Sequence, residues 1–251
     1  MTTANGAADA GRTESTGHAG RVTFFDTLRG LTIVSMVAFH TCYDLAYLYG
    51  QPMAWFTEGI FQDVWRCSIS WTFLFLAGWM TSFSRNNFRR AGIYALAALL
   101  VFAATTIASV DDSINFGIIF CMAACTLIYA LCEPAFKHAS PLPLLITALA
   151  LFALTYKVPK TRYDIEGLAW LGFPSESFSS GDYYPVIPYC FMYLAGAMAA
   201  RLFNKRRPQG YPAWMRRDWC PPLTFLGRHS LIIYLAHQPI VLVVLELVFS
   251  L

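Results

Sequence analysis

The chain has 251 residues, of which 57% are hydrophobic and only 13% carry a charged side chain, and its net charge is +3. A soluble domain of this length has a much larger charged fraction, so the composition excludes an ordinary soluble globular protein. Apolar stretches recur along most of the sequence, and together they predict an integral membrane protein.

The first 23 residues, MTTANGAADAGRTESTGHAGRVT, are small and polar, and they lack the apolar core that a secretory signal needs. Because they have so little apolar surface to bury, they are predicted to form a disordered cytoplasmic tail. Residues 24–251 are predicted to form one transmembrane domain, because apolar segments occupy nearly all of this range.

Seven apolar stretches are predicted to be transmembrane helices. They cover residues 26–48, 64–84, 91–110, 113–133, 141–158, 185–203 and 226–250. A helix needs about 20 apolar residues to cross the hydrocarbon core, so the predicted fold is an all-α, polytopic bundle of about seven membrane helices. The fifth stretch is short and flanked by prolines, and without it the C-terminus would lie inside.

The distribution of basic residues predicts which side of the membrane each loop faces. With the N-terminus in the cytoplasm, the inner segments contain thirteen lysines and arginines, whereas the outer loops contain three, Lys157, Lys160 and Arg162. Cytoplasmic loops of membrane proteins carry such an excess of positive charge. The protein is therefore predicted to lie in the cytoplasmic membrane with its N-terminus inside.

Two connecting segments have compositions that membrane crossing alone does not explain. The outer loop, residues 159–184, is rich in glycine, serine and aromatic residues, which suits an ordered loop that binds a ligand. The inner loop, residues 201–222, is strongly basic. Its charge obeys the positive-inside rule, and it would also suit an anionic ligand such as a nucleotide phosphate.

The first predicted helix carries ionisable side chains along one face. At about 100° per residue, Asp26, Arg29, His40 and Asp44 fall on one broad side, and Arg29 and His40 are only about 20° apart. A rise of about 1.5 Å per residue separates these two by roughly 16 Å along the helix. We expect Arg29 near the inner interface and His40 near mid-membrane, where ionisable groups are costly and usually functional.

A purely structural interpretation of these charges is also open. Asp26 could pair with Arg29 at the interface, where this arrangement costs little. Asp44 could pair with Arg66 on the second helix, near the outer face. This interpretation explains His40 least well, because the sequence offers it no charged partner at its depth.

The last predicted helix contains a second histidine at a similar depth. His237 lies nine residues after Arg228, so it is expected at about the level of His40 on a different helix. Pro239 lacks an N–H and leaves one helical carbonyl without its partner, which membranes tolerate only beside protein groups or water. A histidine that merely packs in the bundle is the alternative interpretation of His237.

A mid-membrane histidine with an arginine three turns away suits the transfer of a group from an anionic donor to an acceptor on the other side. Neutral imidazole is the natural general base near pH 7, and it can deprotonate an amine or hydroxyl that attacks an acyl carbon. Arginine at the inner rim can hold phosphate, and exclusion of water would limit thioester hydrolysis. The sequence contains no GxSxG or HExxH motif.

Five segments, in chain order, resemble the motifs of one known family. They are DTLRGLTIVSMVAFHTCYDL, FLFLAGWMTSFSRNNFRRA, INFGII, GFPSESFSSGDYYPVIPY and LGRHSLIIYLAHQPI. These resemble the bacterial members of the heparan-alpha-glucosaminide N-acetyltransferase catalytic-domain family over about residues 21–245. The spacing of Arg29 and His40 is also similar to that of the broader superfamily of transmembrane acyltransferases.

The resemblance implies transfer of an acetyl group from cytoplasmic acetyl-CoA to an amine or hydroxyl of a glucosamine-like or other glycan acceptor at the outer face. His40 matches the family's essential histidine, and Arg29 its motif arginine. One departure is that many relatives have a Leu-His pair where this chain has Ile119 and Phe120, so any role of that histidine is absent or taken by another group.

The residues expected to form the site fall into three groups. The catalytic residues are His40, as general base or transient acyl carrier, Asp44 and His237; the donor-binding residues are Arg29, Asp26 and Arg228; the acceptor-binding residues are Ser180, Asp182, Tyr183 and Gln238. Acetyl-CoA is the expected cosubstrate. No metal is expected, because the cysteines lack the paired spacing of a zinc site, and nucleic acid is not an expected partner.

Two other classes of function are open. A proton-coupled transporter of small solutes would also place histidine and a proline-containing helix in the membrane, but it predicts inverted repeats, and the sequence shows no internal repeat. A noncatalytic membrane scaffold would use the polar face only for packing. Small residues in LAGAMAA of the sixth helix permit close helix packing, either inside one bundle or in a homodimer.

Overall fold

The computed structural model describes residues 21–108 and 113–250. The predicted N-terminal tail lies outside these residues except for its last three, and of these Thr23 already begins the first helix. The protein is 73% helical, and the described residues contain no β-strand, which confirms the all-α prediction.

Seven long helices follow the seven predicted spans, and three short helices lie between them in the described residues. In chain order they are α1 (Thr23–Tyr47), α2 (Ala54–Thr57), α3 (Phe61–Trp79), α4 (Asn87–Ala108), α5 (Ile118–His138), α6 (Pro141–Thr155), α7 (Val186–Arg206), α8 (Ala213–Arg216), α9 (Pro221–Arg228) and α10 (Ser230–Phe249). Single 3-10 turns, Met80–Phe83 and Val158–Lys160, follow α3 and α6.

Five of these helices are long and apolar enough to cross a membrane, namely α4, α5, α7, α10 and α6 with the residues after it up to Lys160. The sides of α4 and α10 expose large apolar residues such as Leu99 and Val243. Such faces are stable against lipid chains, so this is an integral membrane protein. The predicted count of seven spans is approximate, since α1 and α3 are less apolar than the other five.

Two ends of the bundle can be distinguished by their contacts. The start of α1, the end of α3 and residues 201–228 meet at one end, here called the basic end: Thr23 Oγ1 donates to the carbonyl of Arg217, and the Trp79 indole N–H donates to the Tyr211 hydroxyl. The start of α3 meets residues 156–185 at the opposite end, here called the loop end, where Cys67 contacts Tyr156.

Two predicted helix boundaries are wrong, each for a local reason. The fourth span begins at Ile118 rather than at residue 113, because Phe116 has a positive φ of 58° and the Ile118 N–H is capped by the Asp182 carboxylate at 3.1 Å. The last span is two helices, because the backbone leaves helical geometry at His229 (φ −103°, ψ 15°). Arg228 therefore lies on α9, outside the membrane helix α10.

The small residues of the LAGAMAA segment pack inside the bundle. A Cβ added at Gly196 would overlap the carbonyl oxygen of Phe75, and one at Gly78 would overlap that of Tyr193, so the backbones of α3 and α7 are in direct contact. Ala195, Ala197 and Ala200 are fully buried. Of the two interpretations that the sequence left open for this segment, the structure supports close packing within one bundle.

Candidate functional site

Two imidazole rings face each other inside the bundle, one from α1 and one from α10. The ring centroids of His40 and His237 are 4.9 Å apart, with 62° between the planes. His237 is 8% exposed, and His40 is half-buried. The prediction that the two histidines lie at the same depth on different helices is confirmed. The sequence offered His40 no charged partner at its depth, and the structure shows that its neighbour there is His237.

The hydrogen bond of His237 determines which of its nitrogens is free. Its Nδ1 lies 2.6 Å from the carbonyl oxygen of Tyr234, and because a carbonyl can only accept, we assign the proton to Nδ1. Nε2 then carries the lone pair, and it is buried with no hydrogen-bond partner in the described part of the chain. The arrangement presents a neutral, unused proton acceptor beside His40.

A buried carboxylate ties α1 to α10 next to the histidine pair. Asp44 is 1% exposed, and its two oxygens accept hydrogen bonds of 3.1 and 2.9 Å from the Gln238 amide. The structural pairing of Asp44 with Arg66 is wrong, because Arg66 donates to Asp63 one helical turn away, at 2.6 Å. Asp44 was predicted to be catalytic and Gln238 to bind the acceptor, and in the structure these two side chains hydrogen-bond to each other.

At the basic end, one buried carboxylate gathers three arginines. Asp26 is 4% exposed and lies 2.6 Å from Arg21, 3.8 Å from Arg29 and 3.7 Å from Arg228. The pairing of Asp26 with Arg29 is confirmed, and Arg29 also donates to the Ser230 hydroxyl at 2.8 Å. The three predicted donor-binding residues therefore form one cluster, with an excess of positive charge.

Close backbone contact between α1 and α9 brings Arg228 into this cluster. A Cβ at Gly227 would overlap the carbonyl oxygen of Asp26, and one at Gly30 would overlap that of Leu223. The hydroxyls of Thr27 and Thr224 lie 2.7 Å apart across the same contact. Only glycine permits this approach, so the position of Arg228 depends on it.

The predicted acceptor residues of the loop end are engaged in holding the loop together. The Ser180 hydroxyl accepts from the Asn115 N–H at 3.0 Å and lies 2.7 Å from the Asp182 carbonyl, and the Tyr183 hydroxyl donates to the Ala169 carbonyl at 2.6 Å. Burial raises the pKa of Asp182 to about 6, against the opposing effect of its bond from the Ile118 N–H. Asp182 also interacts electrostatically with Tyr234, whose ring lies 5.6 Å from that of His237.

Two cavities lie apart from the histidine pair. One of about 410 Å³ at the end of α5 and the start of α6 is lined by Lys137, His138, Arg201 and Lys205, among others. The other, of about 360 Å³, lies in the loop end beside Phe178 and neighbouring loop residues. Neither cavity is lined by His40 or by the predicted residues Ser180, Asp182 and Tyr183.

The Tyr234 carbonyl and the Ser230 hydroxyl take part in the site, although neither was named as a site residue from the sequence. The sequence already places Ser230, Tyr234 and His237 on one face of the last helix, and this shared face is the signal that identifies them. In the described residues, no group of three or more histidine, cysteine or acidic side chains is arranged to hold a metal ion.

Comparison with known proteins assigns the chain to a family. Residues 21–239 match the family model described as heparan-alpha-glucosaminide N-acetyltransferase, catalytic. Among curated proteins and among solved structures, none matches the chain. The matched range begins at Arg21, which binds Asp26, and includes both histidines and Gln238. The chain belongs to the heparan-alpha-glucosaminide N-acetyltransferase catalytic family, a family of membrane acetyltransferases.

Proposed function

We propose that residues 24–251 form one transmembrane enzyme that moves an acetyl group from cytoplasmic acetyl-CoA to an amine or hydroxyl of a glycan, such as a glucosamine-like sugar, at the opposite face. The observation that carries this proposal is the pair of His40 and His237, whose ring centroids lie 4.9 Å apart, on the same helix α1 that carries Arg29 of the arginine cluster. An idle pair of imidazoles in mid-membrane would cost free energy without return.

In the direct route, the acceptor nitrogen or oxygen attacks the thioester carbonyl carbon while His40 accepts the acceptor's proton. The carbon–sulfur bond then breaks, and the CoA thiolate leaves and takes up that proton. In the two-step route, the lone-pair nitrogen of His40 attacks the thioester carbonyl carbon, the carbon–sulfur bond breaks, and CoA leaves as a thiolate. The acceptor then displaces the acetyl group from His40, and the proton that the acceptor loses passes to the thiolate. Both routes need His40 neutral and shielded from water.

His237 supports either route through its free nitrogen. Because Nδ1 is bonded to the Tyr234 carbonyl, Nε2 is available to receive a proton from His40 directly or through one water molecule. Asp44 and Gln238 hold α1 and α10 together at this level. The Gln238 carbonyl oxygen is buried and has no hydrogen-bond partner among the described residues, so it is available to accept from the acceptor's hydroxyl or amine.

The donor is held at the basic end in this proposal, and that end faces the cytoplasm. Asp26 orients the guanidinium groups of Arg29 and Arg228, and their combined charge suits the phosphates of CoA. The acceptor enters from the loop end, which Ser180, Asp182 and Tyr183 shape by their internal hydrogen bonds. The thirteen inner and three outer basic residues support this orientation.

Radiolabelled acetyl-CoA tests the proposal on the purified protein in nanodiscs. We expect the wild type to release CoA when membrane glycans are supplied, and His40→Ala to be slower by a factor of about 100 or more. His138→Ala, which removes an exposed histidine, is the matched control and should keep full turnover. Label that stays on the wild-type protein, but not on His40→Ala, identifies the two-step route.

The same assay separates the enzyme from its rivals. Absence of both CoA binding and turnover in the wild type, with glycans present, would contradict the proposal and favour a transporter or a scaffold. Full turnover in His40→Ala would contradict only the catalytic role of His40 and would leave the acetyltransferase proposal standing. Vesicles of known orientation, with acetyl-CoA supplied on one side at a time, establish which face takes the donor.

A further inference from the structure

Arg90, on the first turn of α4, is a partly buried cation that the proposed mechanism does not use. Its Nη2 donates to the carbonyl of Ala77 at the end of α3 at 2.9 Å, and its Nε donates to the hydroxyl of Tyr94 at 3.2 Å. Its guanidinium carbon also lies 5.3 Å from the centre of the Tyr94 ring. Nη1 is buried and has no hydrogen-bond partner in the described residues.

In the described part of the chain, no carboxylate forms an ion pair with this guanidinium. None of the ion pairs in residues 21–108 and 113–250 includes Arg90, and its electrostatic neighbours are the hydroxyls of Tyr94 and Tyr193. Ala77, whose carbonyl Arg90 binds, adjoins Leu76, which packs with Phe25 of α1 at the basic end, and Arg29 interacts electrostatically with Arg90. Asp26 is already shared by three arginines, so this part of the bundle carries an excess of positive charge, and Arg29 and Arg90 are its partly buried cations.

An excess of positive charge inside the bundle costs free energy unless a bound anion neutralises it. Removing a charged group from water costs free energy, and a buried N–H without an acceptor adds to that cost. A phosphate offers several acceptor oxygens to two guanidinium groups and matches their planar fork of N–H donors. Arg29 from α1 and Arg90 from α4 therefore suit one phosphate-bearing ligand between the helices.

The distance of Arg29 from His40 along α1 indicates which phosphates of CoA lie at the level of Arg29. Arg29 and His40 are separated by roughly 16 Å along α1. In CoA about thirteen bonds join the sulfur to the nearer phosphorus of the diphosphate, and an extended chain of that length spans roughly 15 Å, by the rise of an extended backbone. With its thioester at His40, the donor thus places its diphosphate, rather than its more distant ribose phosphate, beside Arg29 and Arg90.

We propose that Arg90 is a donor-binding residue that, together with Arg29, holds the diphosphate of CoA. This inference rests on the proposed function. It makes Arg90 a specificity determinant, because a thioester that carries the pantetheine arm without the diphosphate gains nothing from it. The carbonyl of Ala77 and the Tyr94 hydroxyl fix the guanidinium in place, so that Nη1 remains for the ligand.

Three donors test the inference: acetyl-CoA, acetyl-dephospho-CoA, which lacks the ribose phosphate, and S-acetylpantetheine, which lacks all phosphates. Arg90→Gln should raise KM about 10- to 100-fold for the first two and leave kcat/KM for S-acetylpantetheine within about twofold. Arg90→Lys should recover part of the loss, because it keeps the charge without the fork. Arg89→Gln, an exposed neighbour, is the matched control and should change none of these values.

Each other result overturns the inference. An equal loss for all three donors would assign Arg90 to the packing of α3 against α4, and a loss confined to acetyl-CoA would assign it to the ribose phosphate. If Arg90→Gln does not fold, the comparison is made with Arg90→Lys. A ratio of kcat/KM between the donors that is unchanged from the wild type in this variant would likewise overturn the inference. A wild type that turns over no donor refutes the proposed function itself, whereas turnover with an unchanged donor ratio refutes only this inference.

Discussion

The imidazoles of His40 and His237 lie 4.9 Å apart, although one is on the first long helix and the other on the last. Their helices are joined again at Asp44 and Gln238, and at Arg29 and Ser230. Three polar contacts at three depths thus set the rotation of α10 against α1. The site therefore forms only when the two ends of the described chain have packed together.

The free nitrogen of His237 gives the first prediction. His237→Ala should lower kcat for acetyl transfer by a factor of about 100 or more, because it removes the proton acceptor beside His40. The measurement is CoA release at saturating acetyl-CoA. His229→Ala, which removes an exposed imidazole just before α10, should leave kcat unchanged. Undiminished turnover in His237→Ala would show that this histidine only packs.

The glycine contact between α9 and α1 gives a second prediction. Gly227→Ala should lower the free energy of unfolding by about 1–3 kcal/mol, because its Cβ would overlap the carbonyl oxygen of Asp26. Gly92→Ala on α4 is the control, since a Cβ there meets nothing within 4 Å and improves helix propensity. Thermal unfolding in detergent compares the two, and equal melting temperatures would contradict the packing described.

The bond between Asp44 and Gln238 can be tested by exchanging its partners. Gln238→Glu should lower both melting temperature and turnover, because it places a second carboxylate against a buried one. Adding Asp44→Asn should restore much of the melting temperature, because an amide again faces a carboxylate. A double-mutant cycle measures this coupling, and strictly additive effects would argue against a direct contact.

An exposed ion pair is the natural comparison for that cycle. The side chains of Asp63 and Arg66 are 67% and 50% exposed. Asp63→Asn should therefore change stability by no more than about 1 kcal/mol.

Asp182 predicts a pH dependence of stability. Burial raises its pKa from 3.8 to about 6, so the folded protein binds this proton more tightly than the unfolded chain does. Its contribution to stability is therefore complete at low pH and is lost as the pH rises from 3.8 to about 6. Asp182→Asn should remove this decline, so the melting temperature of the wild type minus that of the variant should fall across this window. A constant difference would contradict the prediction.

Local patterns were enough to predict much of this protein. The length of each apolar run predicted the long helices, and the turn of about 100° per residue placed Arg29 and His40 on one face of α1. Both are properties of a few neighbouring residues. The family motifs, equally local, carried the acetyltransferase assignment that the family model confirms for residues 21–239.

The tertiary structure alone decided which side chains meet between helices. Asp44 bonds to Gln238 rather than to Arg66, and Arg29 of α1 bonds to Ser230 of α10. These outcomes depend on the rotation and distance of helices that are far apart in the chain, which are set by backbone contacts such as that of Gly227 with Asp26. Helical periodicity gives the face on which a residue lies, but only packing determines what that face touches.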